Sequence, residues 1–254
     1  METVQATGML EGKVAVITGV GQGLGKSMAR VFVREGAKVL GVDFSGAEEQ
    51  TAAEIGPGCV PYHADVSKED EIKAIFDHAL AVFGKVDVLV NNAATLSGYW
   101  EEYTGEEFEK LTDTNLRGLL FCCRYAIEAM VRGGAGGSVI NVTTAGAITA
   151  MEEQASVVYS AAKAGVNSVT RSLAIHHGRH GIRVNALAPG LSWTERTHSM
   201  PQSWIDQCNA KTAFGRMAQA DEHAEVAVFL ASDWSSYITG TVIPSDGGWT
   251  ARLP

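Results

Sequence analysis

The chain has 254 residues, 46% hydrophobic and 19% charged, with a formal net charge of −9. That acidity excludes the basic groove a nucleic-acid binder needs, and no apolar run is long enough to span a membrane. The size and apolar content suit one large α/β domain with an ample core.

The opening METVQATG lacks both the basic stretch and the apolar run of a secretory signal. A flexible tail is expected over residues 1–9, followed by one domain over 10–254. Cys59, Cys122, Cys123 and Cys208 form no C-x-x-C pair and read as free thiols of a reducing, cytoplasmic compartment.

Lys13 to Ile17 reads as a short buried strand. Thr18-Gly-Val-Gly-Gln-Gly-Leu-Gly25 follows, and then Met28, Ala29, Phe32 and Val33 recur at helical spacing until Gly36. A strand, a glycine turn and a helix N-terminus together suit a phosphate: the helix end offers unpaired N–H groups, and glycine lets backbone approach closely. The spacing Gly19-x-x-x-Gly23-x-Gly25 departs from G-x-G-x-x-G.

Lys38 to Val42 is a second strand ending at Asp43, 24 residues after Gly19. A carboxylate there can bond ribose hydroxyls and would repel a 2′-phosphate, and no Lys or Arg occupies Val20, Gln22 or Phe44. NAD is therefore favoured over NADP. Ala47 to Ile55 reads as a helix and Cys59 to His63 as a third strand, leading to Asp65-Val66. Ser67 is the expected N-cap of the next helix, which carries Ile72, Ile75, Phe76 and Leu80 on one face.

Val86 to Val90 is strand four, followed by Asn91-Asn92-Ala93-Ala94. Glu106 to Arg132 carries two helical segments, with Asn115 beside Leu116 in the second. Ser138 to Val142 is strand five, ending at Thr143-Thr144, and Ser156 to His177 is a long helix rich in small residues. Ile182 to Ala188 is strand six before Pro189-Gly190, Glu222 to Ala231 is a helix, and Thr241 to Ile243 is a last strand. This alternation calls for a mostly parallel sheet with helices on both faces and ligands at the carboxyl ends of its strands.

Tyr159-Ser-Ala-Ala-Lys163 puts a phenol and an amine on one helix face. An ammonium near a phenol favours the phenolate, and a lowered Tyr can exchange a proton with an alcohol or a carbonyl. His176, His177 and His180 suit a helix C-terminus through the dipole, so no metal site is expected. Trp193, Met200, Trp204 and Phe214 fall in an irregular stretch and read equally as an apolar substrate pocket or as local packing. Glu101-Glu102 and Glu106-Glu107 read as a solvated acidic face.

Taken in order, these motifs resemble those of the short-chain dehydrogenase/reductase family from about Leu10 to Gly248. The resemblance implies a single-domain Rossmann fold, a doubly wound parallel sheet of about seven strands. It makes TGVGQGLG the cofactor turn (Gly19, Gln22, Gly23, Leu24, Gly25), Asp43 the NAD-selecting acid, and Asp65-Val66 the adenine contact. Asn91-Asn92-Ala93-Ala94 is similar to the family's NNAG, with Asn91 and Ala93 as cofactor contacts. Pro189, Gly190 and Thr194 match the segment that holds the nicotinamide amide, and residues 191–215 the loop over the substrate.

Asn115, Tyr159 and Lys163 match the catalytic Asn, Tyr and Lys, with Tyr159 and Lys163 also touching cofactor. The catalytic Ser is replaced by Thr144, or by Thr143 as second choice, and the interval to Tyr159 is about two residues longer than usual. The implied activity is NAD-dependent interconversion of a secondary alcohol and a ketone by an enzyme. The alternatives are a 3-oxoacyl thioester reductase and a catalytically impaired NAD-binding regulator. The substrate is expected to be a small molecule, apolar or bulky, and the assembly a homotetramer.

Overall fold

The computed structural model describes residues 8–96, 103–150 and 157–251. Its strands, in chain order, are β1 (Val14–Thr18), β2 (Lys38–Asp43), β3 (Cys59–His63), β4 (Val88–Asn91), β5 (Gly137–Val142), β6 (Ile182–Pro189), β7 (Ser192–Trp193), β8 (Ala218–Gln219) and β9 (Val242–Ser245). The helices are α1 (Gly23–Arg34), α2 (Ala47–Ile55), α3 (Glu69–Phe83), α4 (Gly105–Thr112), α5 (Leu119–Gly133), α6 (Val157–His177), α7 (Glu195–His198), α8 (Gln202–Lys211) and α9 (Ala220–Ala231). Seven strands form one sheet in the order β3-β2-β1-β4-β5-β6-β9, all parallel. The chain reverses its direction of travel across the sheet between β1 and β4, which leaves a crevice at their carboxyl ends.

Side-chain alternation along the strands divides the core in two. Val16 and Leu40 point to the face covered by α3, α5 and α6, with Ile72, Phe76, Cys123 and Val166. Ala15, Ile17 and Val39 point to the face covered by α1 and α9, with Met28, Phe32, Ala224 and Val228. A buried polar chain ties the middle of the sheet to α6. Asn91 Nδ2 donates to Asn141 Oδ1 at 2.9 Å, Asn141 Nδ2 to Thr170 Oγ1 at 3.0 Å, and Thr170 Oγ1 to Val166 O at 2.9 Å.

Two local expectations are corrected. Ser67 does not cap α3: its N–H donates to Asp65 Oδ1 at 2.9 Å, so Asp65 closes a turn first and Lys68 becomes the N-cap residue. The two expected helical segments between 105 and 133 are joined by a π-helical stretch, Asp113–Gly118. Gly8 and Met9 are not loose, because Met9 N–H donates to Glu35 Oε2 at 3.2 Å and the next residue, Leu10, is fully buried. Residues 1–7, Glu101-Glu102 and the expected helix start at Ser156 lie outside the described residues.

One buried titratable group has a consequence for the whole fold. His223 on α9 is fully buried, and desolvation pushes its pKa down to about 4, outweighing the nearby Glu222 and Asp246 carboxylates. An unfolded histidine keeps its ordinary value, so below that value the unfolded chain binds the extra proton and the fold does not. Stability is therefore full above about pH 6.5 and is lost as pH falls toward 4, by roughly 3 kcal/mol from this group. Urea unfolding followed at pH 7 and pH 4.5 is expected to show this loss, and His223→Leu is expected to reduce the difference between the two pH values.

Candidate active site

The glycine turn lies at the crevice between β1 and β4. Gly19 adopts φ +74, and a Cβ there would fall 2.8 Å from Ala93 Cα. At Gly25 a Cβ would sit 1.9 Å from Gly19 O, so only glycine lets α1 pack on the strand end. A groove of about 460 Å³ runs from this turn past the ends of β2 and β3, lined by Gly19, Gln22, Asp43, Asp65, Val66 and Ala93 among others. Asp43 Oδ2 accepts from Gly21 N–H at 2.9 Å, and its Oδ1 accepts from Ser45 N–H and Oγ–H at 2.9 and 2.7 Å. The acid is thus fixed against the turn it was expected to serve.

Several groove residues were not among the expected site residues. Asn92 rather than Asn91 faces the groove, and Phe44, Thr95 and Lys110 also line it. Phe44 is 68% exposed, an unusual position for a large apolar ring, and that exposure was not legible from a strand-end position. The side chain of Asn91 points inward instead, into the polar chain with Asn141 and against Cys123 Sγ at 3.2 Å. Asn92 Nδ2 bonds the carbonyls of Thr18 and Gly19 at 3.0 and 3.1 Å, which clamps β4 to the turn.

A second cavity, of about 250 Å³, adjoins the first and is lined by Leu24, Asn92, Thr143, Thr144, Tyr159, Lys163, Pro189 and Gly190 among others. Lys163 is 1% exposed and its Nζ donates to Val142 O at 2.8 Å. Desolvation lowers its pKa to about 8. Burial also pushes the Tyr159 phenol up to about 12, opposed by the positive charge of Arg196. The sequence expectation that Lys163 draws the phenol down is not met in this state. The Lys163 ammonium lies 5.8 Å from the Tyr159 ring centroid, and the loss of water is the larger influence on the phenol.

The two threonines part company. Thr143 is buried and its Oγ1 donates to Lys163 O at 3.1 Å. Thr144 Oγ1 accepts from Gly146 N–H at 3.2 Å, which leaves its own proton to donate into the cavity. Asn115 sits fully buried in the π-helical stretch, with Oδ1 accepting from Thr95 N–H at 2.9 Å and Nδ2 donating to Thr95 O at 2.7 Å. Its side chain holds the 95 segment and is not turned toward Lys163 by any bond.

Thr194 lies outside this cavity. It shares a separate cleft of about 420 Å³ with Gly23, Trp193 and Glu195, and Glu195 Oε2 accepts from Gly23 N–H at 3.0 Å. Trp193 and Trp204 pack with Leu191 on Ile205, Cys208 and Met217, which favours the packing reading for those two rings. Phe214 is 75% exposed. No group of three or more His, Cys, Asp or Glu among the described residues is placed to hold a metal ion.

The crevice, the glycine turn and the Tyr–Lys pair define a nucleotide-dependent oxidoreductase architecture. A family model described as enoyl-(acyl carrier protein) reductase matches residues 19–250, and the chain belongs to the short-chain dehydrogenase/reductase family. It is 37% identical to the uncharacterized oxidoreductase YxbG of Bacillus subtilis (strain 168) across 95% of this chain and 92% of that protein. It is 34% identical to a meso-2,3-butanediol dehydrogenase of Serratia marcescens across 95% of this chain and 96% of that one. A solved 3-ketoacyl-(acyl-carrier-protein) reductase from Brucella melitensis, complexed with NADH, superimposes with a TM-score of 0.89 at 37% identity, covering 95% of this chain and 99% of the other.

Proposed function

We propose that the protein interconverts a secondary alcohol and a ketone with NAD as hydride carrier. The observation that carries this reading is the convergence of Thr144, Tyr159 and Lys163 on one cavity that also contains Leu24 of the glycine turn. The residues fit a dinucleotide: glycines fill the turn where a Cβ would collide, and the groove continues to Asp43. Bound there, the nicotinamide would take or give the hydride. Gly19, Gln22, Gly23, Leu24 and Gly25 would cradle the phosphates, with Asp65, Val66 and Ala93 at the adenosine end and Pro189, Gly190 and Thr194 at the other.

The chain's own part is to hold the substrate oxygen and move its proton. Thr144 donates its free O–H to that oxygen. Tyr159, protonated at neutral pH with its pKa near 12, gives the oxygen a proton during reduction and takes it back during oxidation. Lys163, charged at neutral pH and poised near 8, and Arg196 on the loop both stabilise the phenolate when it forms. Asn115 serves by shaping the π-helical turn beside α6. Tyr159→Phe is expected to lower turnover by at least about a thousandfold while NADH affinity changes little. Stopped assays on a panel of secondary alcohols, paired with NADH titration, measure both; unchanged turnover would reject the proposal.

Asp43 supports NAD over NADP by its charge, whereas Lys110, the cation among the described residues lining the same groove, favours an extra phosphate. NADH is expected to bind at least about tenfold tighter than NADPH, and Asp43→Ala to narrow the gap. A clear NADPH preference in fluorescence titration would overturn this assignment. The likeness to the 3-ketoacyl reductase supports a 3-oxoacyl thioester as the second substrate reading. A homotetramer is supported by apolar residues left exposed on α5 and α6, namely Leu120, Val131, Val157 and Ile175. Four buried cysteines outside any disulfide support a reducing, cytoplasmic setting.

A further inference from the structure

The corner after β6 is held differently from the other strand ends. Gly190 N–H donates to Ser245 O at 2.9 Å, and a Cβ on Gly190 would fall 2.7 Å from Asp246 Cα, so the corner lies directly on the end of β9. Ser192 Oγ lies 3.1 Å from Gly190 O and 2.8 Å from His223 Nε2, and His223 Nδ1 lies 2.8 Å from Ser245 Oγ. The proton positions follow from these partners. A carbonyl can only accept, so Ser192 donates to Gly190 O and accepts from His223 Nε2–H. Nδ1 is then the acceptor, and Ser245 donates to it. The imidazole is neutral and in a single tautomer, consistent with its complete burial.

The path continues into the loop. Thr197 Oγ1 lies 3.0 Å from Ser192 O and accepts from Thr194 N–H at 2.8 Å. A run of side chains therefore joins β9, α9, β7 and α7 across the corner that carries Pro189 and Gly190 into the cavity with Tyr159 and Lys163. A Ser–His pair could also be read as a nucleophile and its base. Burial excludes that: His223 is 0% and Ser192 9% exposed, so no substrate carbonyl reaches them.

We infer that His223 is a positioning residue, which through Ser192 and Ser245 fixes the 189–194 corner at the nicotinamide end of the cofactor site. The inference rests on the dinucleotide reading above. An apolar triplet would fill the same space and bury as well. It could not lock the backbone of Gly190 and the loop in one orientation, because only directional bonds do that. The adenosine end, at Asp43 and Asp65, has no contact with the relay.

The test compares two ligands that differ at one end. NADH carries the nicotinamide, and ADP-ribose lacks it. His223→Leu is expected to weaken NADH about tenfold and ADP-ribose by less than about twofold. The triple variant S192A/H223L/S245A removes the three side chains together, so that only the Gly190 carbonyl, at the edge of the cavity, loses its donor. It is expected to recover the melting temperature of the native protein but to keep the selective loss of NADH. Equal effects on the two ligands, no effect on either, or recovery of NADH affinity in the triple variant would each overturn the inference. If the native protein binds neither ligand, the dinucleotide reading itself fails and the role of the relay falls with it.

Discussion

An amine with almost no exposed surface sets the terms for everything near the reactive end of this molecule. Lys163 makes one strong bond, to the carbonyl of Val142 at the last turn of β5. A buried ammonium is tolerated only where acceptors and a favourable field are fixed in advance. The fold supplies this by rigidity. The Asn91–Asn141–Thr170 chain locks α6 to the sheet, and Thr143 takes the carbonyl of Lys163 itself. Lys163 therefore has one position, and Tyr159, a turn earlier on the same helix, is set by it.

The electrostatics of the protein alone favour neutral groups. Water is removed from both the phenol and the amine, and each shifts toward its uncharged form. The charge that favours the phenolate is Arg196 of α7, while the buried Lys163 ammonium lies 5.8 Å from the phenol ring. The helix is held on all sides, whereas the loop is not part of the main sheet. The Tyr159 hydroxyl thus answers both to the helix that carries it and to Arg196 on a separate segment.

Much of this was legible in the sequence. Alternating apolar runs and glycines gave the order of strands and helices, because backbone pairing and burial leave few other options. Asp43, Tyr159 and Lys163 could be placed because strand ends and an i,i+4 spacing determine where such side chains lie. Positions that depend on which of two neighbours turns inward were not legible. Asn91 and Asn92 are chemically identical, and only the pleat of β4 sends one into the core and the other to the groove. The π-helical stretch was hidden for a similar reason: Asn115 binds Thr95, twenty residues away, and no local pattern records such a bond. His223 gave no sequence signal either, since its two partners come from two separate strands, 31 and 22 residues away.

A short parallel ladder joins β7 to β8. Ser192 pairs with Ala218 and Trp193 with Gln219, so the segment between them leaves and rejoins the body at adjacent points. Its own small cluster of Trp193, Trp204, Ile205 and Met217 holds it together. Such a segment is a cassette: its interior can be rewritten by mutation or exchange while both stems stay stitched in place. Changes there would also reach Arg196, the cation that opposes the rise of the Tyr159 phenol.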